Sequence, residues 1–164
     1  EDGRVQAALT WLIGSLNSRG WNEINLAGPP IIFALVMGLL LSRQLNLLGL
    51  GDELSVGLGN SLFRSRCLIG ASATLLAASS VSVGGLIGFV GLIVPHAVRF
   101  LFGTDYRIVL PFSALLGAFT LSAADLIARS GSVELPVGII TSLIGAPIFI
   151  FLLYRRQKNL SSWR

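Results

Sequence analysis

Charge is scarce in this sequence: 12 Lys and Arg and eight Asp and Glu make up only 12% of 164 residues. A soluble domain carries about a quarter. Hydrophobic residues make up 53%, so an ordinary water-facing domain is excluded and lipid is the expected solvent. Cysteine occurs once, as Cys67, which excludes an internal disulfide framework and a cysteine metal cluster. Histidine also occurs once, as His96, and the acidic residues are dispersed over separate connections. No catalytic constellation can be assembled from them, and no cofactor or metal is expected. A G-x-x-x-x-G-K-S/T loop is lacking too, so nucleotide hydrolysis would reside elsewhere. The chain opens on Glu1 rather than Met, with no basic, apolar, small-residue signal pattern before its first apolar run. It therefore reads as beginning inside a longer protein.

What the chain has in abundance is apolar runs. Each bilayer crossing takes about 20 residues, and this length supplies about five. A short run at 5–16 reads as a truncated span ending in the polar turn Asn17-Ser18-Arg19-Gly20-Trp21-Asn22. Pro29 and Pro30 then open the first complete crossing at 31–41, extended to Leu50, because proline suits a helix's first turn. The second, 67–83, is rich in Ala and Ser, which let helix backbones approach closely in lipid. A third, 86–94, is short and broken by Gly84-Gly85, which is tolerable inside a membrane only where protein or a cavity covers the irregular backbone. Two more follow at 108–127 and 135–154. The expected fold class is all-α: a polytopic transmembrane helix bundle of about five complete spans plus a truncated N-terminal one. Residues 1–164 form a single transmembrane domain.

The net charge of +4 reflects topology rather than nucleic-acid binding, because the basic residues lie between and after the apolar runs. Arg43, Arg64, Arg66, Arg99, Arg107, Arg155, Arg156, Lys158 and Arg164 fall on one side; Arg4, Arg19 and Arg129 fall on the other. The richer side is cytoplasmic by the positive-inside rule. That assignment puts the connections 51–66 and 99–107 and the C-terminus inside, and 17–28 and 130–134 outside.

Four groups of residues stand out. Gly51, Asp52, Glu53, Leu54, Leu58 and Gly59 lie in a cytoplasmic connection that is unusually apolar for a loop. There Leu54, Leu58 and Leu62 recur every four residues, as on one helical face. Gly84, Gly85, Gly88, Gly91 and Pro95 punctuate the short crossing and suit close helix packing. Asp125 and Arg129 stand one helical turn apart at an outer helix end, read either as a structural ion pair or as the mouth of a pathway. Glu134 complements the dipole at the start of the last helix, and His96 reads as a hydrogen-bonding residue at a helix end.

Four blocks in these regions carry a resemblance. They are Leu45-Asn46-Leu47-Leu48-Gly49-Leu50-Gly51-Asp52-Glu53 with Gly59; Gly85-Leu86-Ile87-Gly88-Phe89-Val90-Gly91-Leu92-Ile93-Val94-Pro95-His96 with Arg99; Asp105-Tyr106-Arg107 through Leu110-Pro111 to Asp125 and Arg129; and Glu134-Leu135-Pro136-Val137-Gly138 with Gly145-Ala146-Pro147. The chain resembles the C-terminal half of FecCD-type permeases of bacterial ABC importers for ferric siderophores, haem and cobalamin. In that family His often stands where this chain has Tyr106. The resemblance implies a transporter subunit rather than an enzyme, in the bacterial inner membrane, with two cytoplasmic ABC ATPase subunits and a second permease subunit. It also implies a periplasmic or lipoprotein substrate-binding protein. By the same resemblance, 51–66 is the coupling segment that docks on the ATPase, and a ferric siderophore is the expected substrate. An ion-gradient-driven secondary transporter or channel is the alternative. It would favour ionisable residues near the middle of the membrane, and no complete span clearly places one there.

Overall fold

The computed structural model describes residues 13–17, 19–130 and 135–161. Glu134, Arg4, most of the short run 5–16 and residues 131–134 of the outer turn lie outside them. Among the described residues there are seven helices and no strand: α1 (Trp21–Leu40), α2 (Ser42–Leu48), α3 (Asp52–Gly57), α4 (Leu62–Gly84), α5 (Val90–Phe102), α6 (Tyr106–Arg129) and α7 (Val137–Ser161). The all-helical class follows from the solvent, since in lipid a helix satisfies every backbone group within its own segment.

Three helices, α1, α4 and α6, are long and apolar enough to cross a membrane, and only 11–17% of their most apolar stretches is buried within the chain. Two shorter apolar helical stretches, Val90–Phe102 and Val137–Ile150, stand where the third and fifth crossings were expected. The first crossing departs from its expected start. α1 begins at Trp21 and runs through Pro29 and Pro30, whereas 31 was the expected beginning. The true start is marked by Glu23, whose Oε2 accepts the Gly20 N–H at 2.8 Å. The apolar demand of lipid then carries the helix across both prolines, as membrane helices tolerate. His96 is also displaced from its expected helix end; it is exposed within α5, which continues to Phe102.

The chain divides into two compact units. Unit 2 comprises 18–83 and 97–115: α1 to α4, the end of α5 and the beginning of α6. Unit 1 comprises 1–17, 84–96 and 116–164: the irregular segment 85–89, the start of α5, the rest of α6 and α7. Its core is small, with Ala124 and Ala128 of α6 packed with Val137 and Ile140 of α7 and with Leu16. Alanines at that seam let α6 and α7 approach closely, which is how helices associate in lipid.

The irregular stretch in unit 1 is partly covered: Gly84 and Gly85 are buried, while Leu86 and Gly88 are exposed. Ser15 donates its N–H to the Gly84 carbonyl at 3.0 Å, where α4 ends. Gly85 turns the chain at φ +69° and Phe89 ends the break at φ +66°. A positive φ at a non-glycine residue costs on the order of 1–3 kcal/mol and persists only where its surroundings enforce it. Here Phe89 packs edge-on against Phe149 of α7, with ring centroids 6.3 Å apart, and its Cβ occupies the space that a side chain at Gly145 would need.

Candidate functional site

The expected coupling connection is built from the end of α2 to the start of α4, all within unit 2. Gly51, at φ +98°, reverses the chain in a conformation that L side chains rarely adopt. α3 then starts with Asp52 and Glu53 in its first turn, where negative charge favours the helix dipole. The helix lasts six residues, Leu58 closes it, and Gly59 leaves at φ +81°. α4 begins only at Leu62. Leu54, Leu58 and Leu62 therefore do not share one helical face as their spacing suggested. A glycine in the left-handed region interrupts the period, and local turn chemistry overrides the apolar repeat.

This short helix is held by polar contacts on its inner side. Ser55 is fully buried and Ser65 is 5% exposed. Asn60 Nδ2 donates to Ser55 Oγ at 2.9 Å, Ser65 Oγ donates to Asn60 Oδ1 at 2.6 Å, and the Asn60 N–H reaches the Ser55 carbonyl at 3.0 Å. One asparagine thus joins α3 to α4 and satisfies both buried hydroxyls, whose desolvation would otherwise be uncompensated. On the outer side Arg66 Nη2 donates to both carboxylate oxygens of Asp52 at 2.7 and 2.8 Å. Both side chains are more than half exposed, so this pair contributes at most about 1 kcal/mol. Facing away from the network, Leu50, Leu54, Val56 and Leu58 are all at least 55% exposed. The connection is therefore a braced scaffold presenting uncovered apolar side chains.

A second connection in the same unit, 103–105, reaches this scaffold. Gly103 turns at φ +87°, and Asp105 caps α6 by accepting the Arg107 N–H at 2.9 Å. The carboxylate also accepts Asn46 Nδ2 at 2.7 Å. The Arg107 backbone bond above all, with the Asn46 bond and the Arg107 charge adding to it, holds the Asp105 carboxyl below its ordinary range. Because the folded value is depressed, the contribution is complete above the ordinary aspartate range and is lost only as pH falls through the lower folded value. Beside it the Arg99 guanidinium lies 5.5 Å from the centre of the Tyr106 ring.

The other singled-out residues lie elsewhere. In unit 1, a side chain at Gly84 would press on Ile87 and Leu16 at 3.3 and 3.5 Å, while one at Gly88 would make ordinary contact with Ser142. Gly91 has open space around it, and Pro95 lies within α5. The closest approaches fall at glycines given no packing role from sequence. Gly138 lies against the Ile13 carbonyl and donates its N–H to the Gly14 carbonyl at 3.1 Å, and Gly145 lies against Phe89. Asp125 and Arg129 form an ion pair at 2.8 Å on α6, with Arg129 half exposed and Asp125 24% exposed. Sequence reasoning gave no role to Asn46, Ser55, Asn60, Ser65 or Asp105. Only Asp105 carried a local signal, an aspartate just before an apolar helical run. Among the described residues no group of three His, Cys, Asp or Glu side chains could hold a metal ion.

Comparison with known proteins follows the same segments. The profile of the FecCD transport family matches residues 1–155. A cobalamin import system permease of Halobacterium salinarum is 44% identical over 93% of this chain and 42% of its own length. An Fe(3+)-citrate import system permease of Bacillus subtilis is 45% identical over 92% and 46%. A hemin transport system permease of Yersinia pestis is 39% identical over 98% and 49%. The chain thus spans just under half the length of these relatives. A solved structure described as an inward-facing metal-chelate type ABC transporter superposes with a TM-score of 0.86 at 36% identity, covering 92% of this chain and 49% of that one.

Proposed function

The chain belongs to the FecCD transport family, and from that premise we propose that it forms part of the permease subunit of an ABC importer for an iron chelate of the ferric siderophore type. In this reading the protein is a multi-pass component of the bacterial inner membrane with its C-terminus in the cytoplasm. It catalyses no reaction itself; cytoplasmic ABC ATPase subunits hydrolyse ATP. A second permease subunit completes the pathway, and a periplasmic or lipoprotein binding protein delivers the chelate. The relatives named for ferric citrate and hemin support an iron-chelate substrate.

The observation that carries the mechanism is the pairing of an exposed apolar surface with a rigid base. Leu54, Val56 and Leu58 are uncovered, although α3 is anchored beneath by the Asn60, Ser55 and Ser65 hydrogen bonds. Apolar side chains on a braced helix suit a protein partner, because burying them is favourable and little conformational entropy is lost on docking. In this reading Gly51, Asp52, Glu53, Leu54, Leu58 and Gly59 form the surface that receives the ATPase, and movement there drives the helices of the permease. Gly84, Gly85, Gly88 and Pro95 support helix packing within the chain, Gly91, which meets nothing in this chain, would pack only against a neighbouring subunit, and Asp125 with Arg129 act as a structural pair at the outer helix end.

The test uses the full-length permease with its ATPase. Gly59→Trp and Glu53→Lys should leave the permease in the membrane while releasing the ATPase from solubilised complex or separating ATP hydrolysis from uptake. Parental ATPase retention and parental transport in both variants would show that 51–66 is only a solvated loop. Uptake by proteoliposomes of labelled ferric hydroxamate, ferric citrate, haemin and cobalamin assigns the substrate. Cobalamin uptake without ferric chelate uptake would overturn the siderophore reading.

A further inference from the structure

The side chain of Asn46, in α2, joins the two connections of unit 2. Its amide is used at both ends: Nδ2 donates to Asp105 Oδ1 at 2.7 Å, and Oδ1 accepts the Tyr106 N–H at 2.9 Å. The first N–H groups of a helix have no partner within it. At α6 the Arg107 N–H is satisfied by Asp105, which precedes the helix, but the Tyr106 N–H is satisfied by a residue of α2. The start of α6 is thus capped in part from 60 residues earlier in the chain. A planar amide gripping two points resists both sliding and pivoting, where one hydrogen bond would act as a hinge.

The position of Asn46 matters because of what lies on either side of it. α2 leads into α3 through a tight turn closed by Leu50 N–H to Leu47 and Gly51 N–H to Leu48, at 3.1 and 3.2 Å. α3 is in turn locked to α4 through Asn60. A push on α3 therefore has two routes outward, along the chain into α4 and back through α2. Among the described residues the second route reaches α6 through the hydrogen bonds of Asn46. We propose that Asn46 is a positioning residue that carries movement of the docking segment to the cytoplasmic end of α6, so that α4 and α6 respond together. This inference rests on the docking role given to 51–66 above.

The experiment is hydrogen exchange on the full-length transporter with its ATPase in nanodiscs, with and without ATP plus vanadate. In the parental complex both 51–66 and 103–108 should change on nucleotide trapping. In Asn46→Ala the Tyr106 amide should exchange about fivefold faster, as for loss of one ordinary hydrogen bond. The nucleotide response should persist at 51–66 and disappear at 103–108, with more ATP hydrolysed per chelate delivered. Asp105→Asn keeps an oxygen for both donors and should stay near parental. Should Asn46→Ala fail to assemble, Asn46→Asp serves instead. It retains the acceptor for Tyr106 but sets two carboxylates together, and adding Asp105→Asn should restore the response. A parental nucleotide response at 103–108 in Asn46→Ala, or in Asn46→Asp, would overturn the inference and leave the docking role standing. Absence of any response at 51–66 in the parental complex would overturn the docking role and this inference with it.

Discussion

In unit 1 the closest approaches are between backbone and backbone or backbone and ring, at Gly14 against Leu86, Gly138 against Ile13 and Gly145 against Phe89. In unit 2 the notable contacts between segments are side-chain hydrogen bonds: Ser65 to Asn60 at 2.6 Å, Asn46 to Asp105 at 2.7 Å and Arg66 to Asp52 at 2.7 Å. The difference follows from the solvent each set of contacts meets. Between apolar spans lipid offers no hydrophobic reward for association, so packing depends on how closely the helices approach. A connection outside the bilayer holds its shape by pairing polar groups, and one buried group left unpaired costs more than a made bond contributes. The units therefore differ in which substitutions should break them.

The largest effect is expected at Gly138. Any side chain there meets the Ile13 carbonyl, and overpacking of this kind costs on the order of 1–3 kcal/mol or more. Gly138→Val should sharply lower the yield and detergent melting temperature of the assembled permease, and Gly145→Leu should do the same by colliding with Phe89. Parental melting in both variants would show that close backbone approach does not hold unit 1.

Next comes the buried hub of unit 2. Asn60→Ala strips partners from Ser55 and Ser65, an expected loss of about 1–3 kcal/mol, yet α3 stays in the chain. The check is ATP hydrolysis per chelate transported, which should rise while membrane level falls less than for Gly138→Val. An unchanged ratio would mean that α3 needs no bracing from Asn60.

Breaking the outer pair is a smaller intervention. Asp52→Ala and Arg66→Ala should each cost at most about 1 kcal/mol, and less at high salt, since both groups are solvated. Melting temperatures at low and high ionic strength measure this, and a salt-insensitive loss above that size would place the pair in a drier setting than its exposure indicates.

Smallest is the change at Gly91, where an added Cβ meets nothing in this chain. Gly91→Ala should stay within about 0.5 kcal/mol of parental stability. The sequence suggested close packing at this glycine, and a large loss in Gly91→Leu but not Gly91→Ala would point to a second subunit against that face.

How far the sequence was legible varies by residue. The acidic start of α3 at Asp52 and Glu53 and the ion pair of Asp125 with Arg129 follow from local rules, because a helix terminus and an i,i+4 spacing are set by neighbours in the chain. The start of α1 was misplaced because two prolines look like a helix beginning, while the weaker Gly20 and Glu23 cap is the actual one. Gly91 meets nothing in this chain while Gly138, given no packing role, lies against Ile13, since a glycine in sequence does not reveal what lies opposite it.

The sequence by itself determined that this protein meets lipid, that it is helical, and which family it resembles. Apolar run length, scarcity of charge and ordered motif blocks are properties of the chain read in order. Only the tertiary structure decided that Leu54 lies in a short braced helix closed by Leu58 while Leu62 starts another. It alone paired Asn60 with two buried serines and brought Asn46 to Asp105. Hydrogen bonds between residues 59 apart depend on turns at Gly51, Gly59 and Gly103 and on the course of several helices, which no local spacing encodes.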